Sequence, residues 1–276
     1  MSAVAAVEEV RSAEGRASVR LRDVSKIYDT LSGDRVIALT PTDIVFGDRE
    51  FVSVVGPSGC GKTTALKIIA GLEEASTGEV TVGMQRVDGP ERRAGLVFQK
   101  PVLLPWRTIM QNVLLPAQVM GLDISAATER ARELLAMVGL EGFDGKYPRE
   151  LSGGMQQRAS LVRSLVHDPE ILLMDEPFAA LDALTRDFMN QELMRIWSER
   201  QKTVIFVTHS IDESVLLSDR VIVMSARPGR ILADVQIDLP RPRSDAVRAM
   251  PAFAAFSSQI RSHLQHEVRL GLERVS

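Results

Sequence analysis

Apolar and polar residues alternate through SVRLRDVSKIY, residues 18–28, the period of a half-buried strand. Farther on, REFVSVVG, RRAGLVFQ, EILLMDEP, TVIFVTH, DRVIVMSA and GRILADVQI read as further strands. Several of these are almost unbroken apolar runs, as strands covered on both faces require. Between them the apolar spacing changes to that of helices. TTALKIIAGL follows the second strand, and a helix-like segment from Asp182 to Glu199 separates EILLMDEP from TVIFVTH. That order is βαβ and predicts an α/β fold with a mostly parallel sheet and crossover helices. From about 101 to 168 the pattern is helical throughout (IMQNVLLPAQVMGL, AATERARELLAMVGL, GMQQRASLVRSLV), so these residues are expected to form an inserted α-helical subdomain. One domain is expected over 18–250. Residues 1–17, rich in Ala, Glu and Ser, are expected to be a flexible N-terminus, and 251–276 a C-terminal helical extension after the turn LPRPRSD.

Composition adds exclusions. The chain has 276 residues, 45% hydrophobic and 25% charged, an ordinary globular balance. A net charge of −3 supplies no bulk attraction to nucleic acid, and none is expected as a partner. A single cysteine rules out a disulfide framework or a multi-cysteine zinc site. The acidic residues near the start argue against a secretion signal, and no apolar window approaches the ~18 residues of a membrane span.

Chemistry concentrates in short motifs. GPSGCGKT, Gly56–Thr63, satisfies every fixed position of G-x-x-x-x-G-K-[ST] between a strand and a helix. In such a loop, successive N–H groups turn inward toward phosphate oxygens and the helix adds its positive dipole end. Lys62 brings a point charge to the phosphates, and the Thr63 hydroxyl is a ligand for Mg²⁺. A glycine turn that binds nothing is the bland alternative. EILLMDEP would deliver Asp175 and Glu176 to the tip of a buried strand, Asp175 toward Mg²⁺ and Glu176 as general base beside a γ-phosphate. Their alternative is a pair of solvated carboxylates. LSGGMQQR, Leu151–Arg158, is a second glycine turn opening a helix, with Ser152, Gly153 and Gly154 offering a hydroxyl and N–H groups to an anion, or serving merely as an N-cap.

Taken in order, GPSGCGKTT, LSGGMQQR, ILLMDEP, Leu181–Asp182 and VTHS at Val207–Ser210 resemble the ATP-binding-cassette (ABC) ATPases, over about Ser18 to Ile237. The resemblance implies a P-loop NTPase core with a mostly parallel sheet, an N-terminal antiparallel β portion and the inserted helical subdomain, and a head-to-tail homodimer with two ATP molecules sandwiched between the P-loop of one chain and the LSGG turn of the other. It implies ATP contacts from the whole run Gly56, Pro57, Ser58, Gly59, Cys60, Gly61, Lys62, Thr63 and Thr64. Adenine would stack on Tyr28, or Tyr28 would be a strand-end core residue. Gln99 would sense Mg²⁺ and the γ-phosphate, so that Thr63, Gln99 and Asp175 form the Mg²⁺ set. Ser152, Gly153, Gly154, Gln156 and Asp182 would reach ATP across the dimer, and His209 would contact the γ-phosphate. Three departures stand out: Ala180 where serine is frequent, Ser210 where an acid is common, and the small loop Asp29–Asp34. Cys60 lies between the helix N-terminus and Lys62, which favour thiolate; a thiol reactive in the empty site and protected by MgATP is expected. The competing view makes it a small filler beneath the loop.

Within the family, LLPWRT followed by NVLLP and the arginine-rich tail with its Phe-containing helix resemble ATP-binding subunits of nitrate/sulfonate/taurine/bicarbonate importers. That implies a bacterial importer ATPase, peripheral on the cytoplasmic face of the inner membrane, working with a polytopic permease and, indirectly, a periplasmic or extracellular solute-binding protein. Leu103, Leu104, Pro105 and Trp106 would form an exposed apolar patch for the permease, or would pack in the core. A cassette ATPase acting in assembly or repair without a membrane partner is the alternative.

Overall fold

The computed structural model describes residues 19–30 and 33–273. The expected flexible N-terminus, the last residues of the C-terminal extension and two residues of the 29–34 loop lie outside the described residues. In chain order, β1 (Val19–Asp29), β2 (Arg35–Phe46) and β3 (Phe51–Val55) precede α1 (Lys62–Ile69). Then come β4 (Thr77–Val82), β5 (Gln85–Arg86) and β6 (Ala94–Val97). Four helices follow: α2 (Ile109–Val113), α3 (Leu115–Met120), α4 (Ile124–Met137) and α5 (Gly153–Leu165). The remainder is β7 (Ile171–Asp175), α6 (Ala183–Arg200), β8 (Thr203–Thr208), α7 (Ile211–Leu217), β9 (Arg220–Met224), β10 (Ile231–Gln236) and α8 (Pro251–Glu273).

The chain forms two compact units. One comprises Met1–Glu91 with Gln201–Ser276, the other Arg92–Arg200. In the first, β2-β1-β4-β5 make an antiparallel sheet. Two of its strands, β2 and β4, escape the hydrophobic pattern. Pro41 interrupts β2, and the β1–β2 register shifts at several points, so strict alternation is lost. β4 begins Thr77-Gly78-Glu79, a weak strand signature. The same unit contains β3 flanked by parallel β8 and β9, with β10 antiparallel on β9. Every residue of β3 and β8 is buried, which explains their largely apolar runs. Phe51 and Phe206 meet there with ring centroids 6.0 Å apart, each burial contributing roughly 1.5–3 kcal/mol. The α8 helix packs on α7, β9 and β10 and buries Phe253 and Ile260.

In the second unit β6 and β7 pair in parallel. Gly95 of β6 has no room for a side chain, because a Cβ would lie 2.9 Å from Pro169 and closer still to the Ser164 carbonyl. Between these strands the elements are helices α2 to α5 and one 3₁₀ turn, Pro148–Glu150. Local caps set their starts: Thr108 and Gln111 form a capping box on α2, Asp123 caps α4, and Ser152 caps α5. The compact unit is wider than the helical stretch 101–168, since it also holds β6, β7 and α6. Among the described residues no helix is long and apolar enough to cross a membrane.

Candidate functional site

In the first unit the parallel register sets Val55 of β3 opposite Thr208 of β8. The glycine loop and His209 therefore leave neighbouring strands at the same end. The loop is shaped by steric exclusion. At Gly56 a Cβ would stand 2.9 Å from both the Cys60 sulfur and the Met224 carbonyl. Gly61 adopts φ +92° as the residue capping α1, and a Cβ there would lie 2.7 Å from the Ala38 carbonyl. Only glycine meets both demands. The Lys62 side chain folds back along the loop, its Nζ donating to the carbonyls of Gly56 at 2.8 Å and Pro57 at 2.9 Å. The ammonium is buried and held within the loop. Pro57 is half-buried, and Ser58, Gly59 and Thr63 are exposed around it.

The expectation of a reactive Cys60 is overturned. Its side chain is fully buried, pressed toward Gly56 and 3.6 Å from Lys62 Nζ. Backbone packing at Gly56, Met224 and Gly229 turns the thiol under the loop, so it faces the interior. The sequence neighbours that favour thiolate matter little for a sulfur without solvent access.

Tyr28, at the end of β1, is partly exposed and its hydroxyl lies 3.3 Å from the Thr64 hydroxyl at the start of α1. Lys26 Nζ sits over the ring, 5.1 Å from its centroid. Partial burial, and secondarily a hydrogen bond with Glu73, raise the phenol pKa above its ordinary value. His209 is exposed at the tip of β8, and the residues beside it are fixed. Thr208 donates its hydroxyl to the buried Glu213 carboxylate at 2.6 Å and accepts the Ser210 N–H at 3.0 Å. The Ser210 hydroxyl in turn caps α7. Glu213 carries no signal in the motif pattern and emerges only from the geometry.

In the second unit, β6 and β7 run parallel with Val97 opposite Met174. Gln99 and the pair Asp175–Glu176 thus follow adjacent strand ends, and Gln99 Nε2 donates to Glu176 Oε2 at 3.2 Å. Asp175 is buried. Glu176 has φ +45°, a costly conformation for a side-chain-bearing residue that is common at sites of chemistry. Ser152 and Gly153 are exposed at the N-terminus of α5, and the Ser152 hydroxyl accepts the Met155 N–H. Gly154 has Leu181 beside it, 3.2 Å from where a Cβ would be. Gln156 turns its amide back onto the carbonyls of Pro148 at 3.0 Å and Leu151 at 3.2 Å. Asp182 is exposed and caps α6, accepting from the Thr185 hydroxyl at 2.6 Å and its N–H at 3.0 Å. Those bonds hold its carboxyl below the usual carboxylate pKa.

Thr63, exposed in the first unit, and Asp175, buried in the second, each offer an oxygen of the kind a hard cation takes. Among the described residues no group of three or more His, Cys, Asp or Glu side chains could form a metal cage. Mg²⁺ keeps waters and binds through one or two protein oxygens together with substrate phosphates, and oxygen is the donor type that Thr63 and Asp175 each present.

Comparisons with known proteins agree with this layout. Residues 39–179 match the family model for the ABC transporter. An uncharacterized ABC transporter ATP-binding protein of Methanocaldococcus jannaschii is 47% identical over 258 residues, covering 94% of this chain and 95% of that protein. The aliphatic sulfonates import ATP-binding protein SsuB of Bacillus cereus is 42% identical over 227 residues, covering 82% of this chain and 89% of SsuB. A dimeric, post-hydrolysis structure of an ATP-binding cassette bound to ADP and Pi superposes with a TM-score of 0.73 at 33% identity, over 80% of this chain and 100% of that one. The chain belongs to the ABC transporter family as an ATP-binding cassette, and it is an ATPase.

Proposed function

We propose that this cassette powers an importer for a small anionic solute, such as a sulfonate, taurine, nitrate or bicarbonate, through a separate membrane permease. The observation that carries this reading is the loop holding Trp106. Trp106 is 71% exposed and Val102 58% exposed, so neither is spent on core packing. Exposed apolar side chains on a fixed loop favour a docking surface over a solvent-facing turn. The loop is fixed by Asn112, which is completely buried. Its Oδ1 accepts the Leu104 N–H at 2.6 Å, while its Nδ2 donates to the carbonyls of Leu104, Arg107 and Thr108. The name of the Bacillus cereus relative, an import ATP-binding protein for aliphatic sulfonates, supports the same direction.

In this reading two copies of the chain close on two ATP molecules. Lys62 and the loop N–H groups hold the phosphates, and Tyr28 stacks on adenine through the ring face that Lys26 leaves open. Mg²⁺, held by Thr63, Gln99 and Asp175, would neutralise charge on the phosphates. Glu176 accepts a proton from water while the water oxygen bonds to the γ-phosphorus and the bond to ADP breaks. Gln99 holds Glu176, and His209 donates to the γ-phosphate. Ser152, Gly153 and Gly154 meet the γ-phosphate of the opposite copy, and Asp182 lies along the seam.

The test is tagged protein recovered from native membranes. Co-purification with a polytopic permease, reduced by Trp106→Ala at unchanged basal ATPase, is the expected result. Recovery only in soluble complexes would instead favour an ATPase of assembly or repair.

A further inference from the structure

We infer that Arg163 is a positioning residue for Gln99, acting by pinning the loop that carries it to the helix that starts at the LSGG turn. The inference rests on the role proposed above for Gln99 and Glu176. Arg163 lies in the last turn of α5. Its Nη1 donates to the Val102 carbonyl at 2.7 Å and its Nη2 to the Pro101 carbonyl at 2.8 Å. One turn and a half earlier on the same helix, Gln157 donates through Nε2 to the Phe98 carbonyl at 3.1 Å. Gln99 is therefore bracketed, with Phe98 held on one side and Pro101 and Val102 on the other. The bonds all originate from α5.

Three features mark these as positioning contacts and not incidental ones. Two successive carbonyls received by one planar guanidinium is a fork arrangement that lysine, a point donor, cannot reproduce. Val102 has φ +46°, an outlier for a β-branched residue, and such strain persists only where the surroundings over-determine it. Arg163 is half-buried, and that burial pushes its pKa down, so its carbonyl partners replace part of the lost hydration. Without the fork, the segment after Gln99 is free to relax toward ordinary φ, and the 3.2 Å contact of Gln99 with Glu176 loses its support.

The same staple links docking to chemistry. The loop bearing Val102 and Trp106, the glutamine at 99 and the helix opening at Ser152 are tied by Arg163 and Gln157 within one compact unit.

The experiment measures steady-state ATPase for Gln99→Ala, Arg163→Ala, Arg163→Lys and the double variant Gln99→Ala/Arg163→Ala, with circular dichroism on each. Arg163→Ala should lower kcat about tenfold, a misplacement effect, with KM for ATP changed less than about twofold. Arg163→Lys should recover part of the loss. The double variant should be no slower than Gln99→Ala, because both changes remove one function. Losses that multiply in the double variant, or a change carried by KM, would overturn the inference. If Arg163→Ala fails to fold, Gln157→Leu takes its place with the same non-additivity expected. If Gln99→Ala turns over normally, the reading of Gln99 itself fails and the inference goes with it. If Gln99→Ala is slow while Arg163→Ala is not, the inference alone falls.

Discussion

Thr208 and Glu213 form a 2.6 Å hydrogen bond inside the first unit, with the hydroxyl donating to a carboxylate that is only 7% exposed. Between the two lies the exposed His209, whose backbone has little freedom because Thr208 also accepts the Ser210 N–H at 3.0 Å. Glu213 is the carboxylate that this bond places beside the His209 backbone. Glu213→Ala should lower kcat about tenfold through loss of His209 placement, leaving ATP affinity near wild type. Glu213→Gln keeps an acceptor for the Thr208 hydroxyl and should restore most of the activity. Equal losses in both variants would show that the pair does not act through this bond.

Glu176→Gln removes the proton acceptor while preserving size. Turnover should fall by ~10²-fold or more, the scale of a lost general base. ATP binding should survive, and the variant should elute as a dimer in ATP by size-exclusion chromatography. Its amide can still accept from Gln99 Nε2, so the loop geometry is retained. Wild-type turnover would remove Glu176 from the role.

Cys60 makes a prediction opposite to the one its sequence neighbours suggest. Its side chain has no exposed surface and sits against Gly56 and Lys62. Maleimide labelling of the native protein should be slow, unaffected by MgATP within about twofold, and fast only in denaturant, since access then requires opening of the fold. Fast stoichiometric labelling blocked by MgATP would reverse this assignment of the side chain.

The contrast shows what a linear reading captures. The phosphate loop, the LSGG turn and the strand ending in Asp175 and Glu176 are contiguous, and each demands particular residue types at fixed offsets. The buried strands β3, β7 and β8 are legible because each is an apolar run broken only by Ser53 in β3, Asp175 at the end of β7 and a threonine at either end of β8. By contrast β2 carries Pro41 and irregular pairing, so its pattern loses the two-residue period. Asn112, Arg163 and Glu213 act through carbonyls or hydroxyls brought near by folding, and nothing in their sequence neighbours marks them. Cys60 was misread for a different reason: charge proximity along the chain gives no direction for the side chain, and that direction is set by packing at Gly56 and Gly229. Leu103, Leu104, Pro105 and Trp106 have two readings in sequence, exposed patch or core; Pro105 and Trp106 are exposed, while Leu103 and Leu104 are half-buried.

Arg243 supplies the last prediction, about stability. It is 6% exposed, and its Nη1 donates to the carbonyls of Val215, Leu216 and Ser218 while Nη2 donates to those of Ile237 and Leu239. The first three carbonyls close the C-terminal end of α7, where helix carbonyls lack partners of their own and a cation is favoured. The last two follow β10, so one guanidinium ties the end of a helix to the segment leading into α8. Burial, followed by the nearby Arg241 charge, pulls its pKa down to about 10, which still leaves the cation intact at neutral pH. Arg243→Met keeps much of the volume and leaves the carbonyls without donors, each buried orphan costing ~1–3 kcal/mol before relaxation. The expected net loss is ~2–4 kcal/mol, read as a lower urea midpoint with the slope unchanged. Arg243→Lys, with one donor centre in place of a fork, should recover only part of it. The loss should appear equally with and without MgATP, because the staple lies away from the phosphate loop in sequence and in its contacts. An Arg243→Met midpoint within error of wild type would show that water or local rearrangement satisfies those carbonyls equally well.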